Sequence, residues 1–380
     1  VDHHRDGNAL HRKLEGITEM SSSKVAVLKT TPEKVLEDYG RLMRLAEYRK
    51  HLPPDKDTAL KINISWHHFY PACSTTPWQL EGVIKTMLED GYDPALIHGC
   101  HNRTVVVSAK KGEVANKHKG VIEKYGLRNI HLYEGEEWVT YEPKGEMLAL
   151  DKIFPEGIHI PKRMIGENII QLPTMKTHVF TTTTGAMKNA FGGLLHEKRH
   201  WTHSVIHETL VDLLTIQKEI HTGLFAVMDG TFAGDGPGPR CMVPYAKDFI
   251  LASDDQVAID AVAARMMGFE PMELKYIRLA HERGLGCGNV REIEVVGEDI
   301  SGVNFNFKGR ENTFASRGQK MIYWGPLKPL EKILLRSFMV PWSYVASRAY
   351  HDLYWYPCVG KGRVREMMET GWGKLFKAYP

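Results

Sequence analysis

The sequence predicts an α/β fold, two Rossmann-like halves with mostly parallel sheets plus a helical C-terminal appendage, from three observations on its 380 residues. Short apolar runs alternate with amphipathic stretches of helical length, the rhythm of a parallel sheet covered on both faces. This alternation runs once from Val25 and starts again near Ile158. The last sixty residues break the pattern: twelve are aromatic, and nine lysines and arginines face four acids.

Element by element, residues 1–19 are polar and aperiodic and read as a disordered or upstream extension, after which 25–28 reads as a first strand. A helix over 32–49, a strand over 59–64, a helix over 77–90, a strand over 95–98 and a helix over 112–125 make an N-terminal half spanning 20–157. The second half, 158–310, has strands at 169–172, 224–229, 249–253 and 293–296, with helices over 205–220 and 256–267. Asp254 and Asp255 suit the start of the latter helix, where unpaired N–H groups favour negative charge. Asp260 falls midway along it, either partnered in the interior or facing solvent. The run Gly234-Asp235-Gly236-Pro237-Gly238-Pro239 is too rich in glycine and proline for regular structure and reads as a lid or a sharp turn. Residues 311–380 form the aromatic, basic appendage; it either wraps its own domain or, through 323–380, meets an anionic membrane surface or a partner protein.

Composition narrows the function. A hydrophobic content of 43% supports a sizeable core, while no apolar run approaches the roughly 18 residues of a membrane-spanning helix, so a soluble protein is expected. A net charge of +3 makes no case for nucleic acid and permits a small anionic partner. Five scattered cysteines without a C-x-x-C pair suit a reducing compartment, and no apolar leader is read at the charged N-terminus, so the cytoplasm is the expected location. The oligomeric state is left open.

The chemistry concentrates in residues 173–193, which bring together Lys176, His178, the hydroxyl run Thr181 to Thr184, Gly185, Lys188 and Asn189. A strand ends at Pro173 and a helix starts after Thr184, so first-turn amides flanked by Lys176 and Lys188 can cradle a carboxylate or phosphate. Polar groups after the earlier strands converge on the same end of a parallel sheet, namely Lys61 and Asn63, then His98 and His101. Histidines His196, His200, His203 and His207 step by four, three and four, one face of a helix, although the charged stretch after Gly193 suggests a break that leaves His203 and His207 sharing it. With His178 these two are candidate ligands for nickel, zinc or iron; the alternative is a pair of hydrogen-bonded interface histidines.

Residues 173–193, the strand end Asp229-Gly230, the loop Gly234 to Gly238 and the stretch Ile250 to Gly268 together resemble the domain-of-unknown-function family 362, over roughly Lys24 to Glu298. Lys61-Ile62-Asn63 stands where that family usually has Lys-Pro-Asn, and the iron–sulfur cysteines of many members are absent, so no such cluster is expected. The layout is more distantly similar to the nickel-pincer lactate racemase family. That resemblance implies proton-exchanging histidines, with His178 and His101 in that position, a cofactor-bearing lysine at Lys188 and a nickel-binding histidine at His203. Gly185-Ala-Met-Lys replaces the paired glycines usual before that lysine.

The resulting reading is an enzyme of isomerase, racemase or oxidoreductase type. It acts on a small hydroxy or carboxylic acid or a phosphate-bearing molecule by proton or hydride transfer, with or without a divalent metal. His178, Lys188, His203 and His101 are the catalytic candidates. Lys61, Asn63, Lys176, Thr184, Gly185 and Asn189 hold the anion, with Asp229, Asp235 and Asp260 orienting lysines or histidines or completing a metal shell. The alternative is a non-catalytic metal- or anion-binding protein, or a peripheral complex subunit.

Overall fold

The computed structural model describes residues 23–102, 104, 106–309, 311–336 and 345–380; the extension 1–19 and the appendage's Phe338, Trp342 and Tyr344 lie outside the described residues. The strands are β1 (Lys24–Lys29), β2 (Thr58–Ile62), β3 (Ile97–His101), β4 (Arg128–His131), β5 (Trp138–Tyr141), β6 (Ile158–Pro161), β7 (Asn168–Leu172), β8 (Thr174–His178), β9 (Thr182–Thr183), β10 (Gly223–Asp235), β11 (Val243–Ser253) and β12 (Glu294–Gly297). One sheet runs β12-β1-β11-β10-β7-β2-β3-β4, with β8 and β9 branching from β10 and β5-β6 forming a separate ladder.

The α/β class and the largely parallel sheet hold, and both alternations feed this single sheet. Strands β10, β7, β2, β3 and β4 run parallel, because each is reached through a crossover long enough to carry helices. Strand β11 returns antiparallel between β10 and β1, since the short glycine- and proline-rich link leaves room only for a reversal. Strand β10 continues past Asp229-Gly230 to Asp235, absorbing the start of the expected loop.

Alternate residues of each central strand enter opposite cores. Val25 and Val27, Ile169, Ala226 and Met228 join one apolar cluster, while Ala26 and Leu28, Ile170, Phe225 and Val227 join the other. The second face is covered by α1 (Val35–Leu45) and α2 (Pro77–Glu89), the first by α3 (Ala186–Leu194), α4 (Ile206–Ile220) and α5 (Gln256–Met267). The acidic start of α5 is a full cap: the Asp255 carboxylate accepts from Val257 N–H at 2.8 Å and Ala258 N–H at 2.9 Å. Such a cap contributes about 1 kcal/mol.

Three boundaries differ from expectation. The helix expected over 112–125 is two helices, Ala109–Ala115 and His118–Lys124, separated at Lys117 with φ of 66°. The strand expected over 95–98 is β3, displaced toward the carboxyl end because Pro94–Leu96 forms a tight turn capped by Asp93. Helix α4 begins only at Ile206, and Glu197–Val205 winds in tighter 3₁₀ turns, so His203 and His207 do not share one regular helix.

Much of the appendage wraps its own domain. Trp372 packs on Trp78 with ring centroids 5.3 Å apart and donates to Asp248 at 2.7 Å, and Phe376 stacks on Phe69 at 3.8 Å. Trp355, Trp372 and Phe376 thereby complete the core beneath α1 and α2. No helix among the described residues is long and apolar enough to cross a membrane.

Candidate functional site

Beyond the carboxyl ends of β2, β3 and β7 lies a cavity of about 340 Å³. This is where a parallel sheet leaves strand ends and helix starts facing one another across a crevice. Lys61, Asn63, His101, Lys176, His178 and Lys188 line it, as do Thr184, Gly185, Asn189 and His203. Each reaches the wall by a different local route.

Lys61 lies on the α3 side of β2, and Gly193 makes room for it, since a Cβ there would stand 2.8 Å from Lys61 Cε. Its ammonium donates to the Ile62 carbonyl at 2.7 Å. Asn189 ties α3 to the strand by donating to the Lys61 carbonyl at 2.8 Å and to Gln171 at 2.9 Å. Lys176 is 1% exposed and donates to the Cys73 carbonyl at 2.6 Å and Thr174 Oγ1 at 2.8 Å. Lys188 has no hydrogen bond and no carboxylate partner among the described residues, and its ammonium sits 5.3 Å from the Phe191 ring centre.

Two arginines join them. Arg199, buried, donates to the Leu195 carbonyl at 3.3 Å, and Arg240 donates to the Ser65 carbonyl at 3.3 Å. No aspartate or glutamate is among the described lining residues. Burial therefore depresses the basic groups, to about 8 for Lys61 and for Lys176. Lys188 falls to about 7 through burial and then the neighbouring charges of Lys176 and Arg199. A low-dielectric pocket whose described lining carries lysines and no carboxylate has charge to offer to an incoming anion.

The histidines are held neutral. Burial drives His178 well below its ordinary range, helped by Lys188, and lowers His203 to about 3. Their tautomers follow from their partners. His178 Nδ1 accepts the Phe180 N–H at 3.1 Å, so the proton of the neutral ring is on Nε2; His203 Nδ1 donates to the His200 carbonyl at 2.9 Å, so its Nε2 carries a lone pair. Phe180 contacts both rings, its centroid 5.7 Å from that of His178 and 5.5 Å from that of His203, and Tyr323 stacks on His203 at 5.8 Å. His101, also pushed down by burial, lines the wall with Nε2 3.5 Å from Glu113.

Several expected roles are corrected. The first-turn amides of α3 are already occupied: Ala186 N–H and Met187 N–H donate to the Asp260 carboxylate at 2.6 and 3.2 Å. Asp260 is buried, its pKa pushed up to about 7 by desolvation, and a Cβ at Gly185 would meet its Oδ1 at 2.0 Å. The helix start thus holds a resident carboxylate instead of a substrate. Asp229 is likewise structural, accepting from Tyr39 Oη at 2.6 Å, Thr76 Oγ1 at 2.9 Å, Trp78 Nε1 at 3.0 Å and Thr231 Oγ1 at 2.8 Å. Asp235 accepts the Lys308 and Gly309 amides, each at 3.0 Å. None of the three lines the cavity. The expected metal trio also fails to assemble: His178, His203 and His207 do not bring three ligating atoms within 4.8 Å, and His207 stacks on Tyr276 instead.

Sequence reading missed Arg199, Arg240, Tyr323 and His351, all of which line the cavity. Arg240 had a usable signal, a cation set directly after the rigid Gly-Pro-Gly-Pro run. Tyr323 and His351 had none, because they belong to the stretch read as a separate appendage.

A largely parallel α/β sheet with a basic cavity beyond its strand ends defines the class. The chain belongs to the family described as Domain of unknown function (DUF362), whose match covers residues 58–265. A thylakoid-associated protein of Synechocystis sp. is 26% identical over 175 residues, 44% of this chain. The match spans 53% of that relative's length.

Proposed function

We propose that the protein is an enzyme acting on a small anionic substrate, a hydroxy or carboxylic acid or a phosphate-bearing molecule, by proton transfer at a carbon or oxygen beside the anion. The observation that carries this is the cavity whose described walls hold Lys61, Lys176, Lys188, Arg199 and Arg240 and no carboxylate. Lys176, Lys188 and Arg240 bind and orient the anion. His203 Nε2, with its free lone pair, accepts a proton and His178 Nε2–H returns one, two neutral rings of complementary tautomer at one cavity. The arrangement of His178, Lys188 and His203 keeps the lactate racemase layout as a model for the reaction class, with any metal or lysine-borne cofactor part of the same proposal. The test is hydrogen–deuterium exchange at the α-carbon of a panel of 2-hydroxy acids, read by NMR alongside calorimetric binding of each acid and of inorganic phosphate. Exchange lost in both His178→Ala and His203→Ala supports proton transfer. Binding without exchange leaves capture, and no binding by any anion removes the reading.

A second reading, peripheral membrane association, rests on a different observation. Phe314, Val345, Leu353 and Tyr354 are 84%, 67%, 77% and 60% exposed and all lie in the appendage. The relative's name places that protein at a membrane system. Replacing Phe314, Leu353 and Tyr354 together by serine should abolish sedimentation with anionic vesicles while leaving the unfolding temperature within about 2 °C. Unchanged sedimentation would sink this reading.

A further inference from the structure

Among the described residues, one group of three ligating side chains converges outside the catalytic candidates: His67, His68 and Asp352, whose donor atoms all lie within 4.8 Å of one another. The first two follow β2 in the segment after Ser65, and the third comes from the helical segment Ala349–Gly360 of the appendage. His67 Nε2 and Asp352 Oδ2 are 3.4 Å apart. That is longer than the 2.7–2.9 Å of a charge-assisted hydrogen bond. It matches the edge of a tetrahedron built on metal bonds of about 2.0–2.1 Å, which is about 3.3–3.4 Å.

The surroundings orient the donors. Trp66 Nε1 donates to Asp352 Oδ1 at 2.7 Å, fixing the carboxylate and leaving Oδ2 toward the histidines. An outer hydrogen bond of this kind is how a ligating carboxylate is normally held. The His67 and His68 rings lie 4.4 Å apart, and Tyr356 stacks on His68 at 4.5 Å with planes 13° from parallel. His67 Nδ1 is buried without a hydrogen-bond partner among the described residues.

We propose that His67, His68 and Asp352 bind a divalent transition-metal ion of the zinc type, with solvent at the remaining position. Two imidazoles and one carboxylate are a donor set that such an ion takes readily. The ion staples the appendage to the loop after β2. Ser65 and His351, the immediate chain neighbours of Trp66 and Asp352, line the cavity, so the staple fixes one rim of the anion site. It does so without entering the proton-transfer chemistry.

The test uses the full chain after chelator treatment, titrated with Co²⁺ and followed by visible absorption, then with Zn²⁺ and followed by thermal unfolding. One equivalent of Co²⁺ with tetrahedral bands, and a rise in unfolding temperature with Zn²⁺, are expected. Asp352→Asn keeps an acceptor for Trp66 and should weaken binding on the order of tenfold or more, as should His68→Ala, with the metal-free unfolding temperature unchanged. His203→Ala should bind as the parent does. Absence of binding in the parent, unchanged affinity in Asp352→Asn and His68→Ala, or loss of binding in His203→Ala would each overturn the proposal.

Discussion

The scaffold beneath the cavity and the cavity itself partner their buried ionisable groups in different ways. In the scaffold, Asp229 gathers donors from four side chains and Asp260 takes two helix amides, so each carboxylate is enclosed by hydrogen bonds. In the cavity, Lys61, Lys176 and Lys188 are withdrawn from water with no acid beside them among the described residues, and each is depressed well below an ordinary lysine. A buried group enclosed by hydrogen bonds holds a fold in one arrangement. An unneutralised one costs stability and leaves an interaction free for a ligand.

The sharpest way to break this comparison is at Asp229. Asp229→Ala strands the Tyr39 and Thr76 hydroxyl protons in a dry core and leaves the Trp78 N–H with Thr231 Oγ1 alone, and should destabilise the protein by about 3–5 kcal/mol in denaturant unfolding. A loss below about 1 kcal/mol would mean that Asp229 is not the structural hub described.

The converse prediction concerns Lys188. Lys188→Met removes a buried cation that no carboxylate offsets and that rests only against the Phe191 ring, so stability should be unchanged or higher while affinity for phosphate or a carboxylic acid falls about tenfold or more. A linked and smaller effect is the pH dependence. A lysine whose folded pKa lies below its unfolded value binds fewer protons when folded, so folding stability rises with pH from about 7 toward about 10. An anion prefers the protonated lysines, so its affinity falls across pH 7 to 8 in calorimetry, less steeply in Lys188→Met. Tighter anion binding at high pH would show that these lysines do not hold the ligand.

Within the family segment, local chemistry was legible because it is written over a few residues. The Asp255 cap, the apolar stripe of α5 and the strand that ends before Pro173 depend on neighbours at one to four positions. The grouping of Lys61, Lys176, His178, Lys188 and His203 was legible too, since strands of a parallel sheet deliver their following residues to one end. What misled was Asp260. A helix start flanked by lysines reads as an anion cradle, and only packing α5 against α3 reveals that a carboxylate from seventy-four residues away already fills it.

By itself the sequence determined the α/β class, the strands that carry the site and the basic character of residues 173–193, because periodicity, capping and charge are local properties. The tertiary structure alone decided which charges meet. It gave Asp229, Asp235 and Asp260 to the scaffold, kept His207 from His178 and His203, and brought Arg240 and Tyr323 to the cavity wall. It also placed Asp352 beside His67 and His68. Such pairings are fixed by strand order and by helix packing over distances that no short-range pattern encodes.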